Sequence, residues 1–352
     1  MQDTEDMQDM QDTEDMQDMQ DMQQSEDVLE DWFIESLKTL PVRAQEFMLQ
    51  VQRPSRVSAG TSDTGHRVDV REECVVTNDG LSSDLQVWDL GGDDSDVIRQ
   101  TGSVKGRRSV SEGGSRVAAR LSSRPRVLHG AQSGDVQLTE LTSGQPVYKL
   151  ESDSADPVGS LHFVTDAVFV VGCSNGNVHV ADTRTSDAPQ LSPPPSGESV
   201  TWWTDVSAGP SCLDPSSCRI VRLSSSGLTV ISDLRKPGGA VSRAQLDVQT
   251  RCCNVDDVRV SWAPSLDDCI AVSGFSGAVQ IYDTSVWRAE PEEVRPLFEH
   301  RGHAVSSQSD DGVPVFVTSH VWHPERSRTL LSAASDGSVH VWDWVDQSAA
   351  DG

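Results

Sequence analysis

Five of the nine histidines, His300, His303, His320, His323 and His340, crowd toward the end of the chain. Imidazoles at that density raise metal ligation first, because three or four neutral rings converging on one point hold zinc or a similar ion. The competing role is structural, a buried ring held by hydrogen bonds. Alternation along an extended strand sets His320 and His323 on either side of Trp322, toward a partner strand or solvent. Seven cysteines, Cys74, Cys173, Cys212, Cys218, Cys252, Cys253 and Cys269, are an odd number without zinc-type pair spacing. They read as reduced thiols of a cytosolic or nuclear protein. Adjacent Cys252 and Cys253 raise a vicinal redox pair, against which stands the habit of cysteine simply to fill cores. No serine sits in a Gly-x-Ser-x-Gly elbow, and neither a phosphate loop nor a dinucleotide fingerprint is present. Gly274-Phe-Ser-Gly277 reads as a hairpin turn whose glycines answer to backbone geometry. The residues predict no enzyme and no cofactor.

Charge is distributed unevenly. The net charge is −27, yet residues 1–27 alone hold eleven acids and no base. Such acidity argues against general nucleic-acid binding, which depends on phosphate contacts. One segment runs the other way: residues 99–126 carry eight basic residues, Lys105, Arg107 and Arg108 among them, against the single acid Glu112. It reads as a solvated basic loop, as an arm for an acidic protein or RNA, or as an internal partner for the acidic tail. The RNA reading, RNA bound through this 99–126 loop, lacks interleaved aromatics to stack bases. Trp202-Trp203 is a tandem pair, and alternation turns one ring inward and the other outward. The outward ring is a candidate partner contact or a cover for a neighbouring sheet.

The elements that must position these residues repeat. Arg259 to Asp283 and Ser319 to Asp343 each hold an apolar run ending at a Pro, a small-residue run ending in a Gly turn, and an alternating strand closed by aromatic-Asp. Trp262 precedes Tyr282 by 20 residues, and Trp322 precedes Trp342 by 20. Alternation after Ser-Gly or Asp-Gly predicts hairpins, and the Gly-His to Trp-Asp repeat is that of a propeller blade. Weakened copies end at Trp88-Asp89 and at Glu140, Asp182 and Asp233. Aligned on the closing acid, the six copies are spaced by 51, 42, 51, 50 and 60 residues. The expected fold is all-β, a propeller of six recognisable blades plus a degenerate N-terminal seventh. Trp88, Trp262, Tyr282 and Trp322 are its expected blade-core aromatics.

Residues 1–27 repeat Met-Gln-Asp units and read as a disordered acidic tail, the alternative being a Met-striped helix docked on a partner. Residues 28–51 hold an apolar helix-like stripe ending before Pro41 and then a strand-like Glu46–Val51. Few residues follow Asp343, so that N-terminal strand is expected to complete the last blade and close the ring. The propeller proper is expected over 52–346, with 99–126 and a Pro-rich 189–199 as surface loops and 347–352 as a short tail. No run of eighteen apolar residues or secretory leader appears, so no membrane span is expected.

Arg259 to Trp287, Val317 to Asp346, Pro296-Leu-Phe-Glu-His-Arg-Gly-His303, Val127-Leu-His-Gly130 and Asp31-Trp-Phe-Ile-Glu-Ser-Leu37 carry a closer likeness. On them the chain resembles WD-repeat β-propellers, and one branch of that family in particular. The resemblance implies a non-enzymatic scaffold, monomeric and cytoplasmic. Its expected work is assembly of the Integrator RNA endonuclease module by binding the endonuclease subunits. It also implies microtubule and spindle-associated partners, with mitotic placement at the spindle pole and cleavage furrow. WD repeats further imply a hydrogen-bonded tetrad, whose members here are His303, Ser332, Asp336 and Trp342. With that role for His303, no metal site is predicted.

Overall fold

The computed structural model describes residues 74–78, 84–89, 99–106, 115–120, 124–197, 199–207, 218–248, 255–303, 314–324 and 326–345. Apart from the 3-10 turn Ser133–Asp135 its elements are strands, arranged in six mainly antiparallel sheets that follow chain order. The first holds β1 (Cys74–Asn78), β2 (Leu85–Asp89) and β3 (Arg99–Val104), and the second β4 (Arg116–Arg120), β5 (Arg126–Gly130), β6 (Gln137–Glu140) and β7 (Gln145–Lys149). The third is β8 (Val158–Phe163), β9 (Val168–Cys173), β10 (Val178–Asp182) and β11 (Gln190–Ser192). The fourth contains β12 (Trp202–Val206), β13 (Arg219–Ser224), β14 (Leu228–Asp233) and β15 (Lys236–Leu246), with β19 (Glu293–Val294) added parallel to β15. The fifth is β16 (Arg259–Trp262), β17 (Cys269–Ser273), β18 (Val279–Asp283) and β20 (Phe298–His300). The sixth is β21 (Val317–Trp322), β22 (Thr329–Ala334) and β23 (Val339–Asp343).

The reason for continuous apolar runs such as Val168-Phe-Val-Val-Gly-Cys173 is that every inner sheet is buried on both faces. Alternate residues of one strand serve two interfaces. Phe169 and Val171 join a core with Leu128 and Leu138 of the second sheet, whereas Val168 and Val170 join one with Ile220 and Leu234 of the fourth. Five such cores link the six sheets in sequence, the last uniting Ile281 and Val279 with Trp322, Leu330 and Trp342. At the strand that opens each sheet, β4 packs on β8, β8 on β12, β12 on β16 and β16 on β21. Sheets stacked face to face about a common inner row are the blades of a propeller.

All six closing acids end strands at the repeat positions, and the turn glycines Gly176, Gly227 and Gly337 take φ of 89°, 87° and 85°. One hairpin turn is of a different kind. Ser133–Asp135 forms a 3-10 turn, because Asp135 Oδ1 accepts from the Ala131 and Gln132 amides at 2.9 Å and winds the chain tighter. In the fifth sheet Gly274, at φ 96°, takes the left-handed conformation.

The basic and Pro-rich segments are less loop-like than their compositions suggest. Arg99–Val104 and Arg116–Arg120 are strands, and Gln190–Ser192 is the outer strand of the third sheet. Pro193 ends that strand, as it must, since proline donates nothing to a ladder. The expected tail 1–27, the helix-like segment, the closing strand Glu46–Val51, a seventh blade before Cys74, and residues 347–352 all lie outside the described residues.

Candidate functional site

In the last sheet, strand pairing sets Ser332 opposite His340 and Leu330 opposite Trp342. Ser332 and Trp342 therefore share a face one step apart, and Trp342 Nε1 donates to Ser332 Oγ at 3.0 Å. His303 arrives from the preceding segment fully buried, its Nε2 2.8 Å from Ser332 Oγ and its Nδ1 2.7 Å from Ser338 Oγ. Asp336 accepts from Ser338 Oγ at 2.6 Å and from the Ser338 amide at 2.9 Å. The four residues of the expected tetrad thus converge, with Ser338 as an additional link between Asp336 and His303. His300 stacks on Trp342 at 4.4 Å between ring centres, and His340 stacks on His303 at 3.9 Å. Burial lowers the His300 and His303 pKa values to about 4, so these rings stay neutral.

Related networks recur in other sheets with residue types exchanged. Trp88 Nε1 donates to Thr77 Oγ1 at 2.9 Å, the same pair in the same register as Trp342 and Ser332. Trp88 itself is only half-buried. The second sheet inverts the pair: His129 on β5 takes the serine position and Thr139 on β6 the tryptophan position, 3.2 Å apart. Tyr282, buried in the fifth sheet, donates to Gln280 Oε1 at 3.0 Å. Trp262 and Trp322 are also core residues, each 6% exposed.

His320 and His323 do not face solvent; both are buried. His320 bridges two sheets, its Nε2 2.6 Å from Ser261 Oγ and its Nδ1 2.7 Å from Ser273 Oγ, and burial lowers its pKa to about 3. Trp322 Nε1 donates to the same Ser261 hydroxyl at 3.0 Å. His320 and Trp322 lie two residues apart on β21 and so share a face, and that face packs on the fifth sheet.

Two further inter-sheet ties had no signal in the sequence. Asp205 Oδ2 accepts from the Trp262 amide at 2.7 Å, and Asp205 Oδ1 lies 3.2 Å from His162 Nδ1, joining β8, β12 and β16. Arg222 is 2% exposed and donates to the carbonyls of Pro193 at 2.8 Å and Pro237 at 2.9 Å. Desolvation lowers its pKa to about 10. Carbonyl dipoles here do what a carboxylate usually does for a buried guanidinium.

The candidate partner contacts are dispersed. Trp202 is 1% exposed, which removes it from any partner surface, because the inward position on β12 is the sheet's core face. Trp203 covers a neighbouring sheet: its Nε1 donates to Val255 O at 3.0 Å and its ring meets Phe275 edge-on at 5.8 Å. Lys105 is exposed and paired with Asp84 at 2.7 Å; Arg107 and Arg108 lie outside the described residues. Arg116 and Arg120 pair with Asp256 at 3.2 Å and Asp166 at 2.5 Å. These segments owe part of their basic character to ties between blades. Against the expectation of reduced thiols, Cys218 is disulfide-bonded, while Cys173 and Cys269 carry free thiols. On the outer rim, Pro146, Val147, Tyr148, Thr185, Ala188 and Pro189 line a groove of about 500 Å³ between the second and third sheets.

Six sheets packed in chain order, third strands closed by an acid, and an imidazole-hydroxyl-indole network define a WD-repeat β-propeller. A crystal structure of Chaetomium thermophilum Raptor has the same fold, with a TM-score of 0.56 at 13% identity over 78% of this chain and 23% of that one. No family model matches the sequence. Three proteins named Integrator complex assembly factor WDR73 are similar along most of their length. The one from Danio rerio is 42% identical over 275 residues, 78% of this chain and 73% of its own. Those from Xenopus laevis and Homo sapiens are each 36% identical, covering 79% and 75% of this chain and 75% and 71% of theirs. The chain belongs to the WDR73 family.

Proposed function

We propose that this propeller is a non-catalytic assembly factor that binds protein subunits of the Integrator complex and holds them during assembly. The observation that carries this reading is similarity across three quarters of each chain to relatives named for that role. The finer assignment is to the endonuclease subunits of that complex, met in the cytoplasm before they enter the finished assembly. The polar clusters support a scaffold: the buried imidazoles hold serine hydroxyls and backbone rather than opening on a cleft. The rim groove gives a partner apolar footing, with Val147 at 48% exposure on the edge strand β7.

Tagged protein purified from cytosol tests the reading. Integrator endonuclease subunits should co-purify in stoichiometric amount, and Val147→Asp should reduce their recovery several-fold without changing the melting temperature. Absence of those subunits from the unsubstituted protein's eluate would reject the assembly role. Normal recovery with Val147→Asp would reject the groove alone.

A further inference from the structure

We propose that Asp156, Cys173 and His179 form a divalent metal site in the third sheet, suited to zinc. One ligand atom from each, a carboxylate oxygen, Sγ and an imidazole nitrogen, lies within 4.8 Å of the others. Ligand atoms around a tetrahedral zinc stand about 3.3–3.8 Å apart, given bonds of about 2.0–2.3 Å. A rotation of the half-buried Asp156 carboxylate and a small ring shift close that difference.

Two observations separate this trio from ordinary core. His179 is 3% exposed, and its Nε2 has no hydrogen-bond partner among the described residues. A buried polar atom without a partner is uncommon in folded proteins and calls for a ligand or an ion. Register comparison explains how it arose. In the last sheet His340 Nδ1 meets His300 Nε2 at 3.1 Å, while in the third sheet His179, at the matching register position, lies opposite Val171 and its Nε2 meets no such ring. Asp156 occupies the place of His303, since Asn177 donates to it at 2.7 Å as Ser338 meets His303. The same fold corner is tied by serine hydroxyls and a second imidazole in one blade and holds three metal-ligating groups in another.

The chemistry is matched. Ser154 Oγ, at 2.9 Å, joins Asn177 in fixing Asp156 through its Oδ2, the outer support that ligating carboxylates ordinarily receive. Cys173 is fully buried, and desolvation pushes its thiol up to about 12, so it stays protonated in the absence of a cation. Binding a dication would release that proton to solvent and pair one thiolate and one carboxylate with two positive charges. Three protein ligands leave a fourth coordination position for water. The ion would pin the segment before β8 to the hairpin of β9 and β10. The sequence hid the site because its ligands come from three separate elements and share no spacing motif.

Full-length protein without a polyhistidine tag, stripped by chelator and reloaded with Zn²⁺ or Co²⁺, tests the site. One zinc should remain per chain after dialysis, and Co²⁺ should give a thiolate-to-metal charge-transfer band. Cys173→Ala and His179→Gln should each abolish the band and weaken zinc binding at least ten-fold. Circular dichroism and thermal melts without metal confirm that the variants fold. Should either variant not fold, Asp156→Asn, which keeps the side-chain volume at a half-exposed position, replaces it. Failure of the unsubstituted protein to retain zinc overturns the proposal. So does retention that survives His179→Gln but is lost in His300→Gln, which would move the ion to the His300, His303 and His340 cluster.

Discussion

Trp342 earns its place through one hydrogen bond and two stacked rings, Phe298 at 5.7 Å and His300 at 4.4 Å. Trp342→Ala removes all three contacts and should destabilise the fold by about 3–5 kcal/mol in urea titration. Ser332→Ala is the sharper probe. It strands the buried Trp342 Nε1, at a cost of about 1–3 kcal/mol, and removes the hydroxyl that meets His303 Nε2. The tetrad was legible because all four residues fall in the one blade that keeps the full repeat wording. His129 with Thr139 was not, since exchanging the two residue types between strands erases the wording and preserves the contact.

Within a blade, the turn before the third strand sets the register of everything after it. Gly227 shows how little freedom that turn has: at φ 87°, a Cβ added there would lie 2.2 Å from Leu246 O. Gly227→Ala should therefore cost more than the roughly 1–3 kcal/mol of a strained backbone alone, measured by chemical denaturation. Ties between blades depend on pairs distant in sequence. Arg116 and Asp256 are 140 residues apart, and nothing local in the basic segment marks its arginines for that use. Composition counted their charge correctly and assigned it to a loop.

Across the whole molecule, neutral buried histidines make stability depend on pH. His129, His300 and His303 have folded-state values of about 4 and His320 about 3, each below the ordinary 6.5. Stability is complete above pH 6.5 and declines as pH falls toward 4, because the unfolded chain gains protons that the folded chain refuses. For His320 the decline has an upper bound of about 1.4 kcal/mol per pH unit. Melting curves from pH 7.5 to 4.5 should thus fall less steeply for His320→Gln than for the unsubstituted protein. Parallel curves would contradict its buried neutral state. The last sheet gives a second prediction at this scale: Val339 and Val341 on β23 are 47% and 42% exposed. If Glu46–Val51 pairs there, deleting 46–51 should lower the melting temperature by several degrees. No change would reject that closing strand.

What the sequence by itself determined is the blade: strand, turn and closing acid recur because local pairing has a period of two residues and its turns demand particular backbone angles. Fold class and the six recognisable blades follow from repeating that unit. Only the tertiary structure decided which faces are buried, because every inner strand meets a different neighbour on each side. That choice put Trp202 in a core, turned His320 inward, left Arg222 to carbonyl oxygens and gathered Asp156, Cys173 and His179. Contacts between blades join residues far apart along the chain, and no local pattern encodes such distances.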